Sequence, residues 1–370
     1  MRITAVRTRQ IDVDLPAPFH PAWAPGATVT RIRLCYLRVD TDAGLYGIAG
    51  HEFFGTEEQA VERIATHLIG DDPLRIEKHA ATLRYLWPYF GAAVWFVELA
   101  LWDLLGKAAG LPVYKLLGGA RDEVPAYAST GQNRTPAQRA DDCRRLQDEG
   151  YRAVKLRIHN DTLADDLAQV KAVRKAVGDS MAIMVDANQA DVSDAPLPGP
   201  HWTYHRARET AQALAEYDVA WLEEPLPRHS YDDLRRLTAS SPIPIAGGEN
   251  NQQLHDLERL LADGCYNILQ PDVTLCEGLL AIRALAASAQ RRGVLVNPHS
   301  WGDPVGTVAN LHLAAAIANT SYFEFPHDPP AFPTHAYQST LKTPVVVKDG
   351  MVQVPQEPGL GVELQDWIFG

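Results

Sequence analysis

The sequence predicts an α/β chain in which a closed β/α barrel stands beside a smaller α+β domain. Three observations carry this expectation. From Val124 onward, eight short apolar runs alternate with helix signals, the rhythm of parallel strands joined by crossover helices. Three of those runs end abruptly in acids: Met181-Ala-Ile-Met-Val-Asp186, Ala220-Trp-Leu-Glu223-Glu224-Pro225 and Ile243-Pro-Ile-Ala-Gly-Gly-Glu249. They recur at close to one strand plus one crossover helix, for which roughly 30 residues are needed, so Asp186, Glu223 and Glu249 are expected together at one mouth. Residues 1–120 read differently, as strands followed by helices.

Within that first part, Ile3 to Asp12 and Ile32 to Asp40 read as strands, and Gly44-Leu-Tyr-Gly47 as a turn leading into a third. Leu15 to Gly26 holds four prolines, which predicts an irregular but ordered loop presenting His20 and Trp23. Thr56-Glu-Glu-Gln59 has the form of a capping box, and Ala60, Val61, Ile64, Ala65 and Leu68 follow at helical spacing. Ala92 to Ala109 is apolar all round, as in a helix buried between two bodies of structure.

The barrel strands are expected at Val124–Tyr127, Ala153–Arg157, Ala182–Asp186, Ala220–Glu223, Ile245–Gly247, Asn267–Gln270, Val294–Asn297 and Tyr322–Phe325. Between them, Thr135-Pro-Ala-Gln138 combines a capping box with proline at the first helical position. Ser230 precedes another helix as a candidate N-cap, and Leu279, Ile282, Leu285 and Ala286 lie in an amphipathic stretch. The long gap after Asp186 is filled by the Pro-rich segment Ala190 to Thr203, expected to hang over the barrel mouth. Thr343 to Pro355 reads as a hairpin about an Asp-Gly turn, expected to leave the barrel and join the N-terminal sheet. An open doubly wound sheet is the alternative, but no GxGxxG or GxxxxGK[ST] follows a strand to favour nucleotide binding.

Composition narrows the function. With 370 residues, 46% hydrophobic and 22% charged, the chain is of ordinary globular type, and a net charge of −12 offers no basic stripe for nucleic acid. The Met1-Arg2-Ile3 start lacks a signal-like apolar core, and no run of about 18 apolar residues suggests a membrane span, so a cytoplasmic protein without membrane partners is expected. Cys35, Cys143, Cys265 and Cys276 show no CxxC spacing and are read as buried free thiols.

In a barrel of this kind the C-terminal strand ends build the active site. Reading those ends gives Lys155 and Arg157, Asp186, Glu223, Glu249, Asp272, His299 and Glu324. A single acid after a strand is often a helix N-cap, but so many coincident cases argue for a site. Asp186, Glu223 and Glu249 are hard oxygen ligands, suited to Mg²⁺ rather than Zn²⁺. Glu224 is expected on the opposite face by strand alternation, in a structural or supporting role. Lys155 and Arg157 share a face, while Val154, Leu156 and Ile158 make the other face apolar. Asp272 and His299 fall on neighbouring strand ends, where a carboxylate fixes the tautomer of an imidazole and raises its basicity, making a general base.

These residues resemble the enolase superfamily, in its mandelate racemase and muconate lactonizing branch. The resemblance rests on Ala100-Leu-Trp-Asp-Leu-Leu-Gly-Lys-Ala-Ala-Gly-Leu-Pro-Val-Tyr-Lys-Leu-Leu-Gly-Gly119, the Lys155-x-Arg157 strand, Asp186-Ala-Asn188, Trp221-Leu-Glu-Glu-Pro225, Gly248-Glu249-Asn250 and the Asp272 and His299 pair, and it covers nearly the whole length. It implies a modified, (β/α)7β-type barrel over residues 121–337 and an α+β capping domain of residues 1–120 completed by the tail 338–370. It also implies Mg²⁺ held by Asp186, Glu223 and Glu249, a homo-oligomer, and a reaction begun by removing the proton α to a carboxylate. Substrate recognition by resemblance belongs to two capping loops, here the segment with His20 and Trp23 and the segment Gly50 to Gly55 with His51, together with Asn188 near the metal.

One departure bears on the reaction. Where the racemase pattern carries a second lysine, this chain has Arg157, and a guanidinium is a poor base. The expected chemistry is therefore a one-base elimination of water from an acid sugar by His299, giving a 2-keto-3-deoxy acid. Lys155 supplies positive charge, and Glu324 stabilises the enolate if protonated. The alternative is a racemase, epimerase or cycloisomerase of the same family using Lys155 as second base.

Overall fold

The computed structural model describes residues 1–191 and 199–370. Part of the Pro-rich segment predicted over the barrel mouth, residues 192–198, lies outside that description.

β1 (Ile3–Phe19), β2 (Val29–Thr41) and β3 (Tyr46–Glu52) form an antiparallel sheet in that order. The first strand runs further than the prolines suggested, through Pro16 and Pro18 to Phe19, with a register irregularity between Asp14 and Phe19. It can do so because β1 is an edge strand bonded only to β2, where a missing N–H need not break a ladder. Against the sheet pack the helices Glu57–Leu68 and Phe96–Ala109, and Ile76–Phe90 packs on these two helices. Ala60, Val61, Ile64 and Leu68 are buried as their spacing predicts. The capping box at Thr56 does not form; instead the carboxylate of Glu57 accepts the N–H groups of Phe54 and Gly55. The predicted Ser230 cap also makes no side-chain bond, whereas the Thr135 box forms in full.

The barrel strands are β4 (Glu123–Ser129), β5 (Ala153–Arg157), β6 (Ala182–Asp186), β7 (Val219–Glu223), β8 (Ile245–Gly247), β9 (Ile268–Leu269), β10 (Leu295–Val296) and β11 (Phe323–Pro326). From β4 to β10 neighbouring strands pair in parallel, and β11 pairs in parallel with the other side of β4. The two ends of this ladder meet through the segment before β11, where the Val296 N–H donates to the Asn319 carbonyl and Asn297 donates to Ser321, and the strand inventory matches the sequence reading closely. Tyr127, Ala153, Met184, Trp221, Ala246 and Ile268 fill the barrel interior as one buried cluster, a packed floor beneath the strand ends.

The C-terminal hairpin, β12 (Val347–Lys348) and β13 (Met351–Gln353), turns on Asp349-Gly350 as expected. Its destination differs from expectation. β13 pairs antiparallel with Glu123–Pro125 at the start of β4, not with the N-terminal sheet. β5 bonds only at Ala128 and Ser129 of that strand and β11 only from Ala126 onward, so the first residues of β4 offer unpaired backbone groups that β13 satisfies. Beyond the hairpin the tail does reach the N-terminal body. The N–H of Leu360 donates to Asp103, which also accepts from the Ile48 N–H and Lys107, and Arg9 donates to the carbonyl of Ile368.

A buried carboxylate ties the helix Phe96–Ala109 to the barrel. Glu98 is fully buried and its Oε1 accepts from Trp102 Nε1 and from the N–H of Leu280 at the start of the helix Gly278–Arg291. Gly278, at φ +76°, is required here, because a Cβ would lie 2.3 Å from the Glu98 carboxylate. All four cysteines are buried free thiols. Among the described residues no single helix is long and apolar enough to cross a membrane.

Burial pushes the Glu98 carboxyl up to about 7, against the pull of its two donors. Since the folded state then holds this proton more tightly than the unfolded chain does, stability is expected to fall as pH rises from about 4.5 to about 7 and to level off above. Glu98→Gln keeps the acceptor for both donors. It should leave unfolding free energy near pH 4.5 almost unchanged and raise it at pH 8 by roughly 2 to 3 kcal/mol, measured by urea titration; an equal change at both pH values would contradict this origin.

Candidate active site

The parallel register aligns the strand ends. Arg157 pairs with Asp186 across β5 and β6, and Asp186 with Glu223 across β6 and β7, while Glu249 follows β8 after the Gly247-Gly248 bend. Because the next strands lie in the same sense, Asp272 and His299 arrive at the same rim after β9 and β10. Here a cavity of about 280 Å³ opens, lined among others by Arg157, Asn188, Glu249, Asp272 and His299. That volume suits a small molecule.

The two basic residues of β5 are engaged with acids. Lys155 is fully buried, its Nζ 2.5 Å from Glu223, 2.7 Å from Glu324 and 3.5 Å from Asp186. Burial lowers the pKa of this ammonium, but Glu223 and Glu324 outweigh it and raise the group above its ordinary value. Arg157 pairs with Asp186, donates through Nε to the Thr130 carbonyl, and lies 5.0 Å from the ring of Trp23 and 5.7 Å from that of Trp301. Both cations are thus engaged with acids in this structure.

Glu223 accepts from Lys155, from Trp221 Nε1 at 3.0 Å and from Gln270 Nε2 at 2.7 Å. Burial, with Asp186, Glu324 and Glu249 nearby, pushes it up to about 8 against Lys155. Glu249 is raised by burial as well, and its Oε2 is buried without a hydrogen-bond partner. Among the described residues no three Asp, Glu, His or Cys side chains converge as a preformed metal cage. In this arrangement Lys155 and Arg157 take up oxygens of Asp186 and Glu223. The donor set nonetheless fits a hard divalent cation. Four buried acids, Asp186, Glu223, Glu224 and Glu324, and the partly buried Glu249 gather around Lys155, Arg157 and His299, so acids outnumber cations and the Glu249 Oε2 has no hydrogen-bond partner.

His299 forms the expected pair. Its Nδ1 lies 2.9 Å from Asp272 Oδ2, and its Nε2 lies 3.7 Å from Glu249 and 4.0 Å from Glu324. Asp272 is itself held by Thr274 and Asn310. Burial lowers the imidazole's pKa, but Glu249, Glu324 and Asp272 outweigh it and push it up to about 10.

Several expectations need correction. Glu324 is not a protonated donor: burial alone would raise it, but Lys155, His299 and Arg157 hold it at about 2. Its oxygens accept from Ser129 and from the Ser300 N–H, and it is fully buried, a supporting counter-charge for Lys155. Glu224 does not turn to the far face. It follows the strand end at φ 44°, which breaks the alternation, and its side chain lines the cavity and accepts from Asn250. His51 is 1% exposed, stacked 4.2 Å from Phe96, with burial lowering it to about 3. Being one residue before the end of β3, it points to the core, and its neighbour Glu52 lines the cavity instead. His20 is exposed and lies outside the cavity lining; its ring contacts Ala27 and Thr28 within its own loop. Trp23 and Asn188 do line the cavity, Asn188 donating its N–H to Asp186 and accepting from Arg157. The sequence reading missed Glu52, Trp301 and Asp303. Trp301 and Asp303 were within sight, two and four residues past His299.

Replacing Lys155 by Met keeps the stem but strips Glu223 and Glu324 of their buried partner. The protein without added divalent cation should lose about 3 kcal/mol of unfolding free energy at neutral pH, measured by denaturant titration, and an unchanged midpoint would mean the ion pairs are not formed.

Comparison with known proteins agrees with this geometry. Residues 4–118 match the mandelate racemase / muconate lactonizing enzyme N-terminal domain, and residues 138–367 match the enolase C-terminal domain-like family. A D-galactarolactone cycloisomerase of Agrobacterium fabrum is 31% identical over 98% of this chain and 97% of its own length. A D-galactonate dehydratase of Pectobacterium atrosepticum is 31% identical over 90% of this chain and 89% of its own. A racemase from Streptomyces coelicolor A3(2), solved with bound magnesium, superposes with a TM-score of 0.85 at 28% identity, covering 98% of this chain and 97% of that one. A (β/α)7β-type barrel under an N-terminal capping domain, with both family domains matched along its length, makes this chain a member of the mandelate racemase and muconate lactonizing enzyme branch of the enolase superfamily.

Proposed function

We propose that the chain is an acid sugar dehydratase with a single base, His299. The observation that carries this reading is the asymmetry of the site. One side presents an imidazole paired to Asp272 at 2.9 Å, while the other presents Lys155 and Arg157, both locked to carboxylates as permanent charges. Racemisation needs a base on each face of the carbon, and the β5 face offers none.

Asp186, Glu223 and Glu249 would hold the metal, read as Mg²⁺ from their all-oxygen donor set. When bound there, a divalent cation supplies positive charge beside the substrate carboxylate and takes up the negative charge of Glu249 that helps keep His299 protonated. His299 Nε2, held by Asp272 in one tautomer, removes the proton α to that carboxylate. The freed electron pair forms the Cα–Cβ double bond as the β-hydroxyl departs. The imidazolium returns its proton to that hydroxyl, so water leaves, and the enol tautomerises to a 2-keto acid. Lys155 and Arg157 contribute fixed positive charge near the strand end, and Trp23 and Trp301 shield Arg157 from water.

The relative named as a D-galactonate dehydratase supports this reading. The relative named as a cycloisomerase keeps a second reading in play, in which the same imidazole handles the α-proton of a ring-closed acid sugar. A library of acid sugars and their lactones, incubated with Mg²⁺ in D₂O, separates the two. Dehydration gives a 2-keto acid lighter than its substrate by one water, whereas cycloisomerisation opens the ring to an isomer of unchanged mass, a difference read by mass spectrometry. His299→Asn should lower solvent exchange of the α-proton by at least about a thousandfold; exchange at the wild-type rate would move the base elsewhere.

A further inference from the structure

We propose that the cavity wall formed by Glu52 and Asp303 selects acids whose far end is uncharged and hydroxylated, and excludes those carrying a second carboxylate there. The proposal rests on the acid sugar reading and deepens it: the substrates are monocarboxylic sugar acids of the aldonate class, not dicarboxylic ones.

The charges around the cavity point this way. Its acidic lining comprises Glu52, Asp191, Glu224, Glu249, Asp272 and Asp303. The single Lys or Arg side chain among the described lining residues is Arg157, already committed to Asp186. His159 and His201 also line the cavity and stand close to each other, but neither is among the charges felt by Glu52 or Asp303, and the sequence 192–198 contains no lysine or arginine. A substrate's first carboxylate has the metal site to receive it. A second has no counter-charge and would meet acids instead, and like-charge juxtaposition of this kind is a strong means of rejection.

Asp303 adds a second carboxyl to this wall. It is 2% exposed. Its Oδ2 caps the helix Pro304–Ala316 through the N–H of Gly306. Its Oδ1 is enclosed beside Gly50 with no hydrogen-bond partner; a Cβ there would come within 2.7 Å. Burial pushes the carboxyl up to about 7, so that at and above this pH the wall carries buried negative charge, which a hydroxylated chain end tolerates and a second carboxylate does not. Glu52, at the end of β3, is exposed toward the same wall, close enough to Asp303 and His299 to be felt by both. Burial raises its carboxyl and His299 draws it down. The pair thus lines the cavity next to the base.

The test uses the full-length protein with Mg²⁺ and pairs of six-carbon aldonates and aldarates of matching configuration. Exchange of the α-proton in D₂O is followed by NMR. The wild type should process its best aldonate with a kcat/KM about a hundredfold or more above the matching aldarate. Glu52→Lys should shrink that ratio at least tenfold, mainly through the aldarate KM, and Glu52→Gln should shrink it less. Comparable rates for both acids in the wild type, or a ratio untouched by Glu52→Lys, would overturn the proposal. Absence of exchange for every acid would instead count against the dehydratase reading. Selectivity is then decided by Mg²⁺-dependent thermal shifts: a shift with aldonates alone upholds the proposal, and equal shifts with both acids overturn it.

Discussion

The site is organised by a shortage of positive charge among buried carboxylates. Asp186, Glu223 and Glu324 share Lys155 and Arg157, and Glu249 has one oxygen without a hydrogen bond, its nearest cation being His299 at 3.7 Å. Burying so many acids is costly unless cations answer them. Two of those cations come from alternate residues of β5, which is why a five-residue strand decides the chemistry of the whole mouth. Their engagement with the acids is what the proposed one-base chemistry rests on, with His299 paired to Asp272 as the proposed base.

The rest of the fold serves to close that mouth. The N-terminal body is bound to the barrel through buried polar contacts: Glu98 to the helix Gly278–Arg291, Asp103 to the tail, and Trp23 edge-on to Trp301 at 5.0 Å. The aromatic contact continues through Phe19 and Phe332, so the loop over the cavity is clamped by ring packing where hydrogen bonds are few. Water is kept from Arg157, and charge interactions within the site are correspondingly strong.

Much of this was legible in the sequence because barrel strands announce themselves. After the first, nearly every one is an apolar run with an ionisable residue at or just past its end, as in Ala153 to Arg157 and Ala182 to Asp186. Positions that depend on a local break of pattern were not legible. Glu224 escapes strand alternation through its left-handed backbone, and His51 faces the core while Glu52 faces the cavity because β3 runs three residues into the segment Gly50 to Gly55 that was read as a loop. Charge partners were equally hidden. Nothing in the spacing tells that Lys155 reaches Glu324, the contact that keeps this glutamate ionised. The hairpin at the C-terminus was recognised by its turn, but its docking strand is set by which backbone groups of β4 are left unpaired, a property of the assembled sheet.

The central claim is that Asp186, Glu223 and Glu249 form one site for a divalent cation beside His299. Titration calorimetry of Mg²⁺ into the wild type and into Glu249→Gln tests it most directly, with no substrate involved. The account predicts one cation per chain in the wild type and binding weakened at least tenfold in the variant, with its fold intact by circular dichroism. Equal Mg²⁺ affinity in the two proteins, or none in the wild type, would contradict it.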